Sequence, residues 1–497
     1  MHTIRLVLGI LYLFCVIAMS FYGLNSMVLA ILYLLSRPWL KKESLPSDLK
    51  IWPRVTIQLP VFNEKYTLDR LLRAMAKLDY PRDRLQIQLL DDSTDETSLL
   101  AAKLTREFNA QGINIEHIHR TERNGYKAGA LKNGLKSATG EFISIFDADF
   151  MPSSNWLKKT IPFFQDPKLG CLQTRLGHTN REYNLLTRAQ ALAVDSHFIV
   201  QKIARSHYHL FTNFNGTAGI WRRSCIEGIG NWRANTLTED LDLSYRAQLN
   251  GWRIGYLPEL IVPGELPIKL ETFKSQQFRW AKGSLQVTRK TLPHLLGRRD
   301  LPWHIRLMAF LQLTEYVVHP LMLMVLLLTP VVGLLAPHYL SILHFSMLAT
   351  FGPPLLFIMA GDRQTPSLME RLKLIPVLTG LGVGFSLSSS IAILEALTGK
   401  ISDFVRTPKL NLTIRKGSTL EIDHGYLQPI NSMVWGEFSL GIYSLSTLFL
   451  LQRHLGWGLV SWMGIYGLSY FYVAGLNLFQ HWQIQIRRRR IASIQNL

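Results

Sequence analysis

Hydrophobic positions follow two different patterns along this chain. From about Leu6 to Leu35 they form one almost uncharged block, longer than the ~20 residues needed to cross a bilayer. A cleaved signal peptide has an apolar core of only ~7–15 residues, so the block predicts a retained transmembrane helix over residues 1–36. Arg37, Lys41 and Lys42 follow it, which places that end in the cytoplasm and the amino terminus outside.

From Trp52 to about Leu266 the apolar runs are short and alternate with helical spacing. Val55–Leu59, Leu85–Leu90, Ile113–Ile118 and Glu141–Phe146 read as strands, the first ending at Pro60, while Leu68–Leu78 has helical periodicity. Strands alternating with helices predict an α/β domain with a mostly parallel sheet, here over residues 50–266.

After Pro302 the long apolar blocks return near Leu313–Ala336, Leu340–Ala360, Val434–Leu451 and Gly458–Phe479. A further stretch, Leu374–Leu397, contains glycines, a serine run and Glu395. If it spans, the Arg487–Arg490 cluster and the Arg406/Lys409 loop both lie outside. If it lies at the interface, both lie inside, as the charge rule prefers. Five spanning helices are therefore expected. The order is an interfacial region at 267–302, two spans within 303–360, an interfacial helix and loop at 374–425, two spans within 431–481, and a basic tail at 482–497.

Composition agrees with a membrane protein. Hydrophobic residues make up 48% of 497, and mean hydropathy is +0.11. The formal net charge of +19 sits beside apolar blocks, which favours an anionic membrane surface over nucleic acid as its partner. Three cysteines without metal-type spacing imply no disulfide framework.

The candidate chemistry falls where strands end, which is where open α/β sheets bind ligands. Asp147 and Asp149 follow an apolar strand, and two carboxylates one residue apart suit a divalent cation holding a diphosphate. Asp91-Asp92 follow another strand. Asn63-Glu64 form a polar tip after the first, suited to a base or ribose, or simply an ordinary turn. Lys127 sits between glycines in Gly125-Tyr-Lys-Ala-Gly129, fit for a phosphate-facing loop or an exposed helix start. Asn215-Gly216 lie on small, flexible backbone that a sugar can approach closely. Thr238 can cap a helix whose first turn holds Glu239 and Asp240, and a carboxylate there is a candidate general base. In Gln276-x-x-Arg279-Trp280, arginine suits a diphosphate and tryptophan a sugar face; the plainer reading is an interfacial tryptophan beside a snorkelling arginine. Phe404-x-x-Thr407-x-Lys409 is a basic loop.

In this order, the D, D-x-D, T-E-D and Q-x-x-R-W series of Asp91-Asp92, Asp147-x-Asp149, Thr238-Glu-Asp240 and Gln276-x-x-Arg279-Trp280 resembles the processive membrane glycosyltransferases of family 2. Tyr126–Ala130, Phe146–Phe150, Phe214–Trp221 and Thr238–Arg246 are most similar to the cellulose synthase-like A and C groups, which make mannan or glucan backbones. Phe404, Thr407 and Lys409 resemble the gating loop of cellulose synthases, with Arg406 where that loop has valine. The resemblance implies a GT-A, Rossmann-like nucleotide-sugar domain inserted in a transmembrane helix bundle. It implies that Asn63, Glu64, Asp91, Asp92, Lys127, Asp147, Gln276 and Arg279 bind the nucleotide-sugar, and that Asp147 and Asp149 hold Mg²⁺ or Mn²⁺. Asp240, with Glu239, would be catalytic. Asn215, Gly216 and Trp280 would line the acceptor site. The expected reaction is inverting transfer of hexose from UDP-glucose or GDP-mannose to a β-(1→4) glucan or mannan, with export of the polymer. A lipid acceptor is the alternative. The catalytic domain is expected in the cytoplasm, at a bacterial inner membrane or a Golgi membrane.

Overall fold

The structure is a computed structural model describing residues 2–40, 49–341, 350–362, 365–400, 407, 409, 411, 431–452 and 457–495. Its middle is built on a seven-stranded sheet. The strands are β1 (Val55–Val61), β2 (Leu85–Asp91), β3 (Ile115–His119), β4 (Phe142–Ile145), β5 (Leu169–His178), β6 (Gly219–Arg222) and β7 (Arg253–Gly264). Their order is β3-β2-β1-β4-β6-β5-β7. The first four are parallel, as the strand–helix alternation predicts. β6 enters antiparallel between β4 and β5, so the sheet is mixed.

One face of the sheet is apolar in the expected way. Ile57, Leu59, Ile87 and Leu89 pack with Leu68, Leu71, Leu72 and Met75 of the Leu68–Ala76 helix. The other face carries Thr56, Gln58, Gln86 and Gln88, and these are buried too. They lie under the Tyr126–Gly134 helix and bond to one another and to backbone carbonyls above them, since a buried amide without a partner is costly. Gln58 Nε2 donates to Gln88 Oε1 at 3.1 Å, and Gln88 Nε2 donates to the Gly134 carbonyl at 3.0 Å. A Cβ at Gly134 would come within 2.6 Å of Gln58 Nε2, so glycine is what lets this helix sit close enough to aim Lys127 at the strand ends.

Pro60 does not end β1, which continues to Val61. The alternating ladder turns the nitrogen of residue 60 toward β4, and β4 has already ended opposite Gln58. A missing N–H therefore loses nothing there. Val61 pairs with Asp91, and Asp91 with His119, so three carboxyl-terminal loops open along one edge.

Among the described residues, three helices are long and apolar enough to cross a membrane: His2–Arg37, Glu315–Leu335 and Met433–Leu451. The 374–397 stretch forms two helices, Leu368–Gly384 and Ser386–Thr398, bent by 40°, and gives a fourth span if the pair counts as one. Ser386, Ser388, Ser389 and Ser390 of its serine run are buried, and the Ser386 hydroxyl shares a hydrogen bond with Tyr470 at 2.6 Å. The expected span at Leu340–Ala360 lies partly outside the described residues; its described part includes the helix Gly352–Met359. The expected span at Gly458–Phe479 falls within one long helix, Trp457–Gln495.

The helix Leu270–Gly297 joins domain to bundle. Its Lys274 ammonium is buried against Glu437 at 2.9 Å and Glu271 at 3.4 Å, and Asn477 donates to Glu271 at 2.8 Å. Breaking a buried ion pair strands the other charge, at a cost of roughly 3–5 kcal/mol. Glu437→Leu should therefore lower the thermal unfolding temperature in detergent markedly. Lys274→Met added to it should restore most of the loss, and equal destabilisation by single and double variants would refute the pairing.

Candidate functional site

The loops after β1, β2 and β4, the start of the Tyr126–Gly134 helix, the 215–216 backbone, the Glu239–Leu249 helix and the Leu270–Gly297 helix meet around one cavity of about 200 Å³. Glu64, Asp92, Lys127, Asp147, Asp149, Asn215, Gly216, Glu239, Asp240, Gln276, Arg279 and Trp280 all line it, as do Thr407 and Lys409. Phe404 lies outside the described residues. Twelve motif residues far apart in sequence thus share one crevice at the strand ends, with two from the gating-type segment.

Two expected nucleotide residues are placed differently. Asn63, at φ 55°, accepts the Thr94 N–H at 2.9 Å and tethers the first loop to the second, without lining the cavity. Asp91 and Asp92 point apart, as neighbours leaving a strand do. Asp91 is fully buried outside the cavity, where its Oδ2 meets His117 Nε2 at 2.9 Å and His119 Nδ1 at 3.1 Å. Burial alone would raise its pKa, but the bonds from His117 and Ser93 outweigh that and hold it well below the usual carboxylate range. Asp91, His117 and His119 also bring three ligand atoms within 4.8 Å, a set able to hold a metal ion. Asp92 does face the cavity and is gripped at both oxygens by Arg120, at 2.7 and 2.5 Å.

The acidic centre is organised by Lys127. Its ammonium donates to Asp147 Oδ1 at 2.5 Å and to the Gly216 carbonyl at 2.9 Å, and lies 4.0 Å from Glu239. Burial would strip its proton, yet the charges of Asp147 and Glu239 prevail and raise its pKa. Asp149 is fully buried; its Oδ2 accepts the Glu265 N–H at 2.7 Å and Lys409 Nζ at 2.8 Å, whereas Oδ1 has no hydrogen-bond partner. A buried carboxylate oxygen left without a donor, with Asp147 lining the same wall, is the hard-oxygen environment that suits Mg²⁺ or Mn²⁺.

Glu239 and Asp240 open their helix as expected. Thr238 occupies the cap position, but its hydroxyl makes no capping bond. It packs instead on Gly283 of the Leu270–Gly297 helix, where a Cβ would stand 2.6 Å from the Thr238 methyl. Close helix approach has displaced the cap. Burial, then the neighbouring Glu239 charge, raises the pKa of Asp240; Glu239 is raised by burial as well. Gly216, at φ 80°, lies so near Asp240 that its Cβ would stand 3.1 Å from Oδ2. Asn215 is fixed from behind, its N–H donating to Gln173 Oε1 at 2.9 Å.

Sequence reading missed Arg123, whose guanidinium lies 3.5 Å from the Phe62 ring centroid on the cavity wall. It also missed Gln173 and Glu265, which steady Asn215 and Asp149. Arg120 and Arg123 lie just ahead of the Gly-Tyr-Lys-Ala-Gly motif, a local signal that points to them.

Residues 53–283 match the family model for glycosyltransferase like family 2. The chain is 39% identical over 271 residues to glucomannan 4-beta-mannosyltransferase 9 of Arabidopsis thaliana, covering 52% of this chain and 51% of that protein. It is 42% identical over 255 residues to glucomannan 4-beta-mannosyltransferase 2 of the same plant, covering 50% and 48%. The matches therefore span about half the length of these curated relatives. A mannosyltransferase from Pyrobaculum calidifontis, solved with GDP-Man and Mn2+, superimposes with TM-score 0.53 at 19% identity, covering 78% of this chain and 100% of that one. That likeness concerns the fold, and it agrees with the mixed sheet and the carboxyl-edge cavity. Sheet, motif order and family match lead to one conclusion: this chain carries a glycosyltransferase family 2 domain of GT-A fold, attached to a bundle of candidate membrane-spanning helices.

Proposed function

We propose that this chain is an inverting, metal-dependent hexosyltransferase of the membrane. It would take a hexose from a nucleotide-sugar, with GDP-mannose ahead of UDP-glucose, and add it to a growing β-(1→4) mannan or glucomannan. The observation that carries the reading is the shared cavity, with a half-buried carboxylate at Asp240 and cations at Lys127 and Arg279. The names of the two plant relatives and the GDP-Man of the archaeal neighbour favour mannose.

In this mechanism Glu64 and Asp92 lie toward the nucleoside, and Arg123 stacked on Phe62 forms its wall. Asn63 and Asp91 hold those loops in place. Lys127, Arg279 and Gln276 surround the diphosphate. Trp280 presents an aromatic face to the acceptor sugar, with Asn215 and Gly216 opposite. The acceptor hydroxyl attacks the anomeric carbon from the side away from the nucleotide. Its proton passes to an Asp240 oxygen as the carbon–oxygen bond forms and the bond to the diphosphate breaks. Inversion follows, so an α-linked donor gives a β-linked product. Asp147 and Asp149 would hold Mg²⁺ or Mn²⁺, which supplies Lewis-acid stabilisation of the leaving diphosphate. Lys409 on Asp149 ties the Thr407–Lys409 segment to the site, and we assign that segment a gating role.

We place the catalytic domain in the cytoplasm, since positive residues flank the first helix on that side. Processive synthesis with export through the bundle fits the Gln276–Trp280 motif, which shares one helix with the Lys274 contact to the bundle.

Asp240→Asn should lower kcat roughly 10²–10⁴-fold while leaving donor affinity near wild type. Loss of donor binding in parallel would refute its role as base. An ionised Asp240 is required, and its pKa is raised, so kcat/KM should fall as pH drops through a value above the ordinary carboxylate range. A rate already at its plateau at pH 5 would exclude that assignment.

Purified protein in membranes, given radiolabelled GDP-mannose or UDP-glucose with Mn²⁺ or Mg²⁺, should yield a long product digested by β-mannanase. EDTA should abolish it. Label confined to an organic-extractable lipid would favour the lipid acceptor, and no transfer from either donor would overturn the donor assignment.

A further inference from the structure

Beside the catalytic cavity lies a second, of about 640 Å³, within the usual range for ligand sites. The two share Lys127, Leu237 and Glu239 as a dividing wall. The far side of the second cavity carries Arg289, Lys290 and Lys400. Among the described residues its one lining carboxylate is Glu239, which already has Lys127 at 4.0 Å.

These far-side cations are anchored mostly without being neutralised. Arg289 Nη1 donates to the carbonyls of Ala396 and Leu397, at 2.7 and 3.1 Å. Lys290 Nζ donates to the Asn235 carbonyl at 2.8 Å. Carbonyls fix a cation's position but leave its charge uncompensated. Lys400 does meet a carboxylate, Glu395 at 2.6 Å, but Glu395 is shared with Lys282 at 2.8 Å. Partial burial, together with the positive charges of Arg233 and Arg246, lowers the pKa of Lys290 despite Asp242. Positive charge is therefore in excess, on side chains held apart around a space.

We infer that this second cavity binds a phosphate-bearing anion, distinct from the diphosphate of the donor. Converging guanidinium and ammonium groups suit phosphate oxygens. The phosphate has two possible sources. One is an anionic phospholipid headgroup, because a wall of the cavity is the end of the Ser386–Thr398 helix in the bundle. The other is soluble phosphate or diphosphate. An occupant would brace the 234–237 loop that leads into Glu239 and Asp240. It would also hold Lys400, nine residues before the Lys409 that grips Asp149. The site is thus placed to regulate the reaction centre from the far side of the wall formed by Lys127, Leu237 and Glu239.

The test uses the full chain in phosphatidylcholine nanodiscs, titrated with inorganic pyrophosphate. Wild type should bind two pyrophosphates and the Lys290→Gln/Lys400→Gln variant one, with donor KM and unfolding temperature unchanged. Arg279→Gln should do the reverse, removing the catalytic-site pyrophosphate and keeping the second. This separates failure of the inference from failure of the proposed function. Gln286→Glu adds negative charge to the lining while keeping its acceptor for the Leu237 N–H, now 3.0 Å away, and should weaken the second site at least tenfold. In nanodiscs containing phosphatidic acid, a wild type that binds only one pyrophosphate would identify the lipid as occupant. Two pyrophosphates there would identify the soluble source. Identical stoichiometry and affinity in wild type, the double lysine variant and Gln286→Glu would overturn the inference.

Discussion

Glu239 is buried with Asp240 half-buried beside it, Asp147 lies close by, and crowding of this kind raises the energy of every carboxylate in the group. The ammonium of Lys127 makes the arrangement tenable. It reaches Asp147, the Gly216 carbonyl and Glu239 together, and so joins the loop after β4, the 215–216 backbone and the Glu239–Leu249 helix. Lys127 can stand there only because its helix is pressed onto the sheet at Gly134, over the buried glutamines of β1 and β2. The reaction centre thus rests on a polar layer inside the sheet, a place where an apolar core is the usual expectation.

A second set of contacts ties this centre to the bundle. Ser244 Oγ accepts the Phe214 N–H at 2.9 Å, and Gln248 binds both backbone groups of Thr212. Gln312 accepts from the Tyr245 hydroxyl at 2.8 Å and donates to Asn213 Oδ1 at 3.2 Å. Gln312 lies three residues before the Glu315–Leu335 span begins. The helix bearing the proposed base, the backbone beside Asn215 and the Trp303–Leu313 helix that leads into a candidate span are therefore one hydrogen-bonded unit.

Much of this was legible from sequence, and the reason is geometric. Carboxyl ends of parallel strands converge, so Asp147, Asp149 and Asp92 could be placed in one crevice from the strand pattern alone. Arg279 and Trp280 joined them through motif order. What was not legible depends on contacts between distant segments. The cap expected of Thr238 is lost to the approach of Gly283. Pro60 stays inside its strand because β4 is shorter than β1. Asp91 and Asp92 look like a pair in sequence, yet the two-residue period sends one to the histidines of β3 and the other to Arg120. The bent pair at 368–398 combines polar serines with apolar length, and composition alone could not give its bend.

The Leu270–Gly297 helix has one further consequence. At 28 residues it is a rod about 42 Å long. Near one end it is fastened to the bundle through Lys274 and Glu437, and farther along through Lys282 and Glu395. Between and beside these fastenings it carries Arg279, Trp280 and the Gly283 surface on which Thr238 rests. Membrane helices tilt to match the thickness of the bilayer around them. A tilt passed to this rod moves the arginine and tryptophan relative to the strand-end carboxylates, so the lipid composition of the membrane becomes a physical variable of the proposed sugar-transfer site.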